Sequence, residues 1–340
     1  GNHTGQPGGD EVAQGDLKAA CMEATMVVTG RIATYPAVLD QLDVSEIVRE
    51  TYRKAGYGMD STGRLWLPDP RDVQVVNLIR MGPFEPGERE LRHLADDQAI
   101  CVGYAQLMNS QYMPMAIRTA RLVAAEICRA RGEEGLGTLG PDGKVLVRLR
   151  SIGPKRYEPL QISLSLHHHE GADWMALRRI AEKACSFAVN RRTIGEILVN
   201  PGGMFTCGGP MGDNGLSGKK LAADAYGPSV PIGGGAWSGK DLRKVDRLGG
   251  MLARRLAKRA VNWPDTFDAQ VQLAYVPGCD RPLSIDLWRD GVAYDGDVLD
   301  LLGQPAVDNL SVWQEFVQFE GALDDLARYG HFPGDAPWER

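Results

Sequence analysis

Between residues 201 and 250 the chain places 14 of its 41 glycines. Such a stretch gains little from helix or strand propensity, because glycine loses the most conformational freedom on ordering. It is nonetheless heavily charged: Lys219, Lys220, Lys240 and Lys244 alternate with Asp213, Asp224, Asp241 and Asp246. Glycine lets a backbone approach a ligand closely and offers N–H groups to anions. Lysines beside such turns suit a polyphosphate, and carboxylates among them suit Mg²⁺, which bridges protein carboxylates and substrate phosphates. Composition alone leaves a second reading open, a glycine-rich surface loop with solvated charges. The segment GGAWSGKD (234–241) nearly matches the P-loop pattern but has Asp241 where that pattern needs a hydroxyl for Mg²⁺. It also follows Pro228 and Pro231 rather than a hydrophobic strand, so a P-loop is set aside.

The rest of the chain reads as an ordinary folded α+β protein. A net charge of −6 argues against a nucleic-acid-binding surface, which shows a basic excess. No apolar run approaches the roughly 18–20 residues of a membrane helix, and no secretory leader is visible, which gives the expectation of a cytoplasmic protein. The cysteines are scattered without a C-x-x-C pair, so reduced, mostly buried thiols are expected. The first sixteen residues read as a loop or arm. Residues 19–34 look strand-like. A helix is expected over 43–56, capped by Asp43 or Ser45 and ended by Gly56. Prolines 68, 70, 83 and 86 break up residues 62–96. Residues 114–131 and 173–189 have helical spacing, the first with Gly132 just after it. Residues 145–152 and 160–168 alternate like half-buried antiparallel strands, and 196–200 and 271–276 are further strands. Residues 244–261 form a basic helix whose spacing predicts one solvated face. His167, His168 and His169 would alternate faces on a strand, which suits a structural role better than a metal site.

The stretches FTCGGPMGDNGLSGKK (205–220) and GGGAWSGKDLRKVDR (233–247) resemble signature segments of the methionine adenosyltransferase (S-adenosylmethionine synthetase) family. LADDQAICVGYA (94–105), MPMAIRTARLV (113–123), GPDGK (140–144), VQLAYVPGCDRPLSI (271–285) and YGHFPGDAPWE (329–339) follow in the family's order. The resemblance implies three similar α/β domains with mixed or antiparallel sheets around a pseudo-threefold axis. The implied division is 3–80 with 239–248 as a central domain, 108–205 as an N-terminal-type domain, and 81–107, 206–238 and 249–340 as a C-terminal-type domain. It implies transfer of the adenosyl group of ATP to the methionine sulfur, followed by hydrolysis of the triphosphate. It further implies Mg²⁺, as two ions, and K⁺, and a homodimer or homotetramer with the active site between subunits.

Carried over residue by residue, Lys144, Lys219, Lys220 and Lys240 would bind the triphosphate, with Lys144, Lys220 and Lys240 acting in catalysis. Asp142 would lie by the ribose and Phe205 would stack on adenine. Asp246 would hold Mg²⁺ and Glu23 a K⁺ ion. Asp97 and Asp213 would lie near the methionine amine and the sulfonium, and Lys244 near the methionine carboxylate. His331 and Trp338 would support packing. Taken singly these residues have plainer readings, Lys144 as a hairpin residue and Phe205 as core. Three departures fall on the methionine and metal side. His3 and Asp10 stand loosely for a histidine and a metal-binding aspartate, the alternative being an unrelated arm. Arg31 occupies a position where the family has a glutamate that would bind the substrate ammonium. A methionine-contacting segment expected between about 75 and 90 is not recognisable in VVNLIRMGPFEPGE. Two alternatives therefore stay open: transfer to a different thioether, or a catalytically weak regulatory paralogue that binds nucleotide.

Overall fold

Backbone pairing begins earlier than the arm expectation allows. The computed structural model describes residues 14–89, 91–133, 138–153, 156–190, 192–319 and 323–340, so the expectations for His3 and Asp10 lie outside the described residues. Strand β1 (Gln14–Met22) turns at Glu23 into β2 (Thr25–Ala33), and Gln14 to Asp16 already pair with Ala33 to Arg31. After the single turn α1 (Pro36–Leu39), helix α2 (Val44–Ala55) starts where Asp43 accepts the Glu46 N–H at 2.9 Å and ends at Gly56 with φ 95°. Both caps follow from the sequence. The proline-broken region holds the short hairpin β3 (Gly58–Met59) and β4 (Leu65–Trp66), then β5 (Gln74–Gly82), which runs parallel to β2.

Strand β6 (Ala99–Gln106) precedes α3 (Met115–Glu133), which takes in Gly132 instead of stopping before it. The long strands β7 (Leu139–Gly153) and β8 (Arg156–His168) pair antiparallel, as the alternation predicted. Helix α4 (Trp174–Ala188), capped by Asp173, leads to β9 (Glu196–Val199), parallel to β8. The glycine-rich stretch contributes a 3₁₀ turn (Gly209–Met211), β10 (Gly215–Leu216) and α5 (Leu221–Asp224) before α6 (Val245–Val261). The chain then forms β11 (Asp268–Tyr275), β12 (Ser284–Arg289) and β13 (Val292–Ala293), followed by α7 (Val298–Leu301), α8 (Asn309–Phe316) and α9 (Asp325–Tyr329).

The larger sheets have the orders β10-β1-β2-β5, β7-β8-β9 and β13-β12-β11-β6. Each is backed by helices, which makes the architecture mixed α/β. Val44, Val48 and Tyr52 of α2 pack on Val28 of the first sheet and on Val73, just before β5. Helices α3 and α4 cover the second, with Val123, Ile162, Leu164 and Leu177 in its core. Helix α6 covers the third, and it lies so near β6 that a Cβ on Gly103 would stand 2.0 Å from the Ala253 backbone. No helix among the described residues is long and apolar enough to cross a membrane.

Two expectations are corrected here. Helix α6 has no broad solvated face, because Arg247, Arg254 and Arg255 are all buried. Arg254, with no exposure, donates from Nε to Glu339 Oε1 at 2.8 Å and from Nη2 to Glu339 Oε2 at 2.9 Å. Its remaining N–H groups reach the carbonyls of Tyr104 and Gln111. Lys258 joins Glu339 at 3.0 Å, and Arg255 pairs with Glu315. Hydrophobic spacing cannot reveal charges neutralised by residues some eighty positions away. The thiols are also less buried than expected: all are free, but only Cys101 and Cys185 are buried, and Cys128 and Cys207 are exposed. Trp338 is fully buried and donates to the His331 carbonyl at 2.7 Å, in keeping with its packing role.

Removing Glu339 would leave Arg254 charged and uncompensated in the core. Glu339→Ala is therefore expected to lower unfolding stability by about 3–5 kcal/mol in denaturant titration. A variant that unfolds at the wild-type midpoint would show that this pair does not hold the C-terminal segment.

Candidate functional site

Strand β1 carries a glycine-rich loop at each end. Near its C-terminal end, Ala20 and Cys21 pair with Leu216 and Gly215, and the Ala19 N–H donates to Ser217 Oγ at 2.8 Å. Near its start, Asp16 bridges Lys240, the Leu17 N–H donates to the Gly239 carbonyl at 2.8 Å, and the Gly15 N–H donates to Asp241 Oδ2 at 2.9 Å. Asp241, the residue that breaks the P-loop pattern, is thus a tether to β1. The pairings at Asp16 and Ala20 lie about 13 Å apart along the strand.

The first loop gathers Asp142, Lys144, Phe205, Asp213 and Lys219. Asn200 fixes its entry: Oδ1 accepts the Leu166 N–H at 2.6 Å and Nδ2 donates to the Leu166 carbonyl at 3.0 Å. The Phe205 N–H donates to His168 Nε2 at 3.0 Å, and the His168 N–H donates to the Phe205 carbonyl at 2.9 Å. The Phe205 ring rests on His167, 5.4 Å between centroids, and His167 rests in turn on Trp66 at 5.0 Å. The histidine run is therefore structural, as expected, and its structural work is to place Phe205. Asp142 accepts the Gly209 N–H through Oδ2 and the Gly143 N–H through Oδ1, both at 2.7 Å. A cavity of about 240 Å³ opens between Lys144, Ser165, Asn200 and Phe205. Lys219 donates to Asn214 Oδ1 at 2.6 Å and lies 3.4 Å from Asp213. The hydrogen bond from Lys219 to the Asp213 carboxylate and the Lys219 charge, then the Asn214 N–H and a smaller contribution from Lys144, hold the Asp213 carboxyl below its usual range. Lys220 is exposed at the start of α5, and Arg121 ties down the other end of that helix through the carbonyls of Ala223, Asp224 and Ala225.

The second loop gathers Lys240, Lys244 and Asp246 at the start of α6. Asp246 sits in the helix's first turn, where a negative charge is favoured, and forms an ion pair with buried Lys240. A Cβ on Gly235 would fall 2.1 Å from the Asp246 carboxyl carbon, so a side chain there would push that carboxylate aside. Lys244 pairs with Asp96 rather than with Asp97, which is exposed and accepts only the neighbouring Gln98 N–H among the described residues. Burial works against the Lys244 charge, but Asp96, Asp241 and Asp16 raise its pKa above the ordinary value. Trp237 packs 4.8 Å from His331 and fills the space over Gly250, where a Cβ would stand 2.2 Å from the indole.

Two of the remaining expected residues touch the loops' surroundings without joining either lysine cluster. Glu23 is exposed at the β1–β2 turn with φ 51°, its N–H donating to the Pro210 carbonyl at 2.6 Å. Arg31, opposite Asp16 in the β1–β2 register, pairs with Glu88 at 2.8 Å and Glu85 at 3.4 Å. Glu88, Asp96, Asn200 and Arg121 also hold the site, although no motif in the sequence singles them out. Charge-reversed Arg31 was the one signal that a compensating acid should be sought. No group of three or more His, Cys, Asp or Glu among the described residues is arranged to hold a metal ion alone.

His331 is buried under Trp237, and burial, helped by the charges of Arg247 and Arg121, lowers its pKa from 6.5 to about 3. The folded state therefore excludes a proton that the unfolded chain binds. The stability this residue provides is complete above pH 6.5 and is lost as pH falls towards 3, by about 1.4 kcal/mol per unit. Wild type should lose stability faster than His331→Gln across that window in pH-dependent denaturation. Parallel acid limbs would contradict the assignment.

The family model described as S-adenosylmethionine synthetase, C-terminal domain, matches residues 207–340, and that of the central domain matches residues 92–205. An S-adenosylmethionine synthase of a Nitratiruptor species is 33% identical over 320 residues, covering 87% of this chain and 80% of the relative. Those of Corynebacterium aurimucosum and Petrotoga mobilis are each 30% identical, over 93% and 97% of this chain and 84% and 88% of the relatives. The loops at the two ends of β1 fall within matched segments, and the chain belongs to the S-adenosylmethionine synthetase family.

Proposed function

We propose that the chain is a methionine adenosyltransferase that converts ATP, L-methionine and water to S-adenosylmethionine, phosphate and diphosphate. The observation that supports this most is the pair of lysine-bearing loops fixed to one strand, Lys219 and Lys220 at one end, with Lys144 of β7 nearby, and Lys240 with Asp246 at the other. Sulfur attack at C5′ expels a triphosphate of about four negative charges, and cations already in place stabilise that charge as it develops. Phe205, fixed from behind by His167 and from its backbone by His168, offers an aromatic face to adenine. Asp142 has both oxygens on backbone N–H groups and is rigid enough to orient a ribose.

Asp246 suits Mg²⁺ in this reading, since such sites use one or two carboxylates and take further oxygens from substrate phosphates. The ion would offset charge on the departing triphosphate. Glu23 is assigned to K⁺ and Asp10 and His3 to the metal and substrate side on the resemblance alone. The separation of the two loops along β1 fits an active site completed across a homodimer or homotetramer, each copy lending one loop to the other. The three helix-backed sheets fit the proposed pseudo-threefold domain arrangement. The finding that Arg31 is bound to Glu88 and Glu85 weakens the case for a different sulfur substrate, since its guanidinium is not left to repel an amine.

Mass spectrometry after incubation with ATP, Mg²⁺, K⁺ and L-methionine should show S-adenosylmethionine, with phosphate and diphosphate released. ATP binding without any adenosyl product would sink the reading. Lys240→Met should lower kcat by about 10²–10³, the effect of losing one preplaced charge-stabilising group. Unchanged turnover would remove Lys240 from the triphosphate site.

A further inference from the structure

A cavity of about 420 Å³ lies between the start of β1, residues 88–96 and the start of α6. Three carboxylates and three cations line it, together with the apolar side chains of Leu91 and Leu94. Such balanced walls suit neither a polyanion nor a simple cation. They suit a molecule carrying one charge of each sign beside a short apolar chain.

Arg31 is not among the lining residues; Glu88 is, and Arg31 holds it. The Arg31 Nη2 donates to Glu88 Oε2 at 2.8 Å, and the Glu85 N–H donates to the same oxygen at 2.7 Å. Oε1 of Glu88 carries no hydrogen bond among the described residues. Burial disfavours the Glu88 charge, yet the Arg31 and Glu85 hydrogen bonds, with the Arg31 and Lys244 charges, keep its pKa below the ordinary value. The carboxylate is thus held ionised with one oxygen open. Lys244, another lining residue, gives one of its three N–H donors to Asp96 and has others for a carboxylate.

We propose that Glu88, positioned by Arg31, is the group that receives the substrate ammonium in this cavity, across from Lys244, to which the family resemblance already gives the carboxylate. The inference rests on the methionine reading above. It differs from the family resemblance in where the acid comes from: the glutamate missing at position 31 is supplied by the 85–88 segment, recruited by the arginine that replaced it. Leu91 and Leu94 then flank the thioether side chain.

The test is equilibrium binding and steady-state kinetics on the full chain with L-methionine and with 4-(methylthio)butanoate, which lacks only the amine. Glu88→Gln should raise the Kd and KM for L-methionine about 10–100-fold, the factor for losing a hydrogen bond to a charged group, with KM for ATP unchanged. Binding of the desamino analogue should be the same in variant and wild type, a selectivity that a merely structural role would not produce. Arg31→Gln with Glu88→Gln leaves no guanidinium without its partner and should show the same methionine-selective loss, which guards against misfolding of the single variant. Unchanged methionine affinity, or equal losses for methionine and the analogue, would overturn the assignment of Glu88. Wild type that binds no L-methionine would overturn the functional reading itself, and the inference with it; that result is read before any substitution is made.

Discussion

A β-strand at the edge of its pairing must place its backbone N–H and C=O groups somewhere, and β1 places them on the two loops that carry the site. On one side it pairs along its whole length with β2, and on the other it takes Gly215–Ser217 near one end and Gly239–Asp241 near the other. Loops so rich in glycine have little order of their own. Their conformation is set by this borrowed strand edge and by a few side chains, among them Asn200, His168, Arg121 and Asp241, that close hydrogen bonds onto loop or strand backbone. The lysines that give the loops their chemistry are therefore positioned largely by other residues, while two carboxylates, Asp142 and Asp241, themselves hold loop and strand backbone.

The third sheet meets a different constraint. Helix α6 begins at the candidate site and continues into the core, so its basic residues cannot reach water on the inner turns. Arg254 is accommodated only because Glu339 and the backbone carbonyls of Tyr104, Gln111 and Tyr112 satisfy its donors. The C-terminal segment is thereby part of the interior, with Trp338 beneath it and His331 beside Trp237. The packing that supports the Asp246 end of the helix is thus partly supplied by the last dozen residues of the chain.

These features explain which parts of the molecule could be read in the sequence. Asp43 and Gly56 bracket α2 because capping is local chemistry, and the alternation of β7 and β8 shows because each strand has one wet face. The signature segments carried the family and the lysines of both loops. Periodicity failed at α6, whose arginines look solvent-seeking until their distant partners are known. Cysteine spacing says nothing of depth: Cys128 on α3 and Cys207 in the glycine-rich stretch are exposed, whereas Cys101 and Cys185 are buried. Glu88 and Asp96 were invisible for a related reason. An ion pair between segments 57 or 148 residues apart leaves no local pattern, although an arginine where a glutamate was expected marked the place to look.

Because one strand edge spaces both loops, β1 should evolve under an unusual rule. Its side chains can be exchanged freely wherever they do not pack, since the loops are held through backbone atoms. Its length cannot change. A single inserted or deleted residue between Asp16 and Ala20 would shift the loops by about 3.3 Å relative to each other and turn every following side chain to the opposite face of the sheet. Among relatives, this segment should vary in letter but never in number.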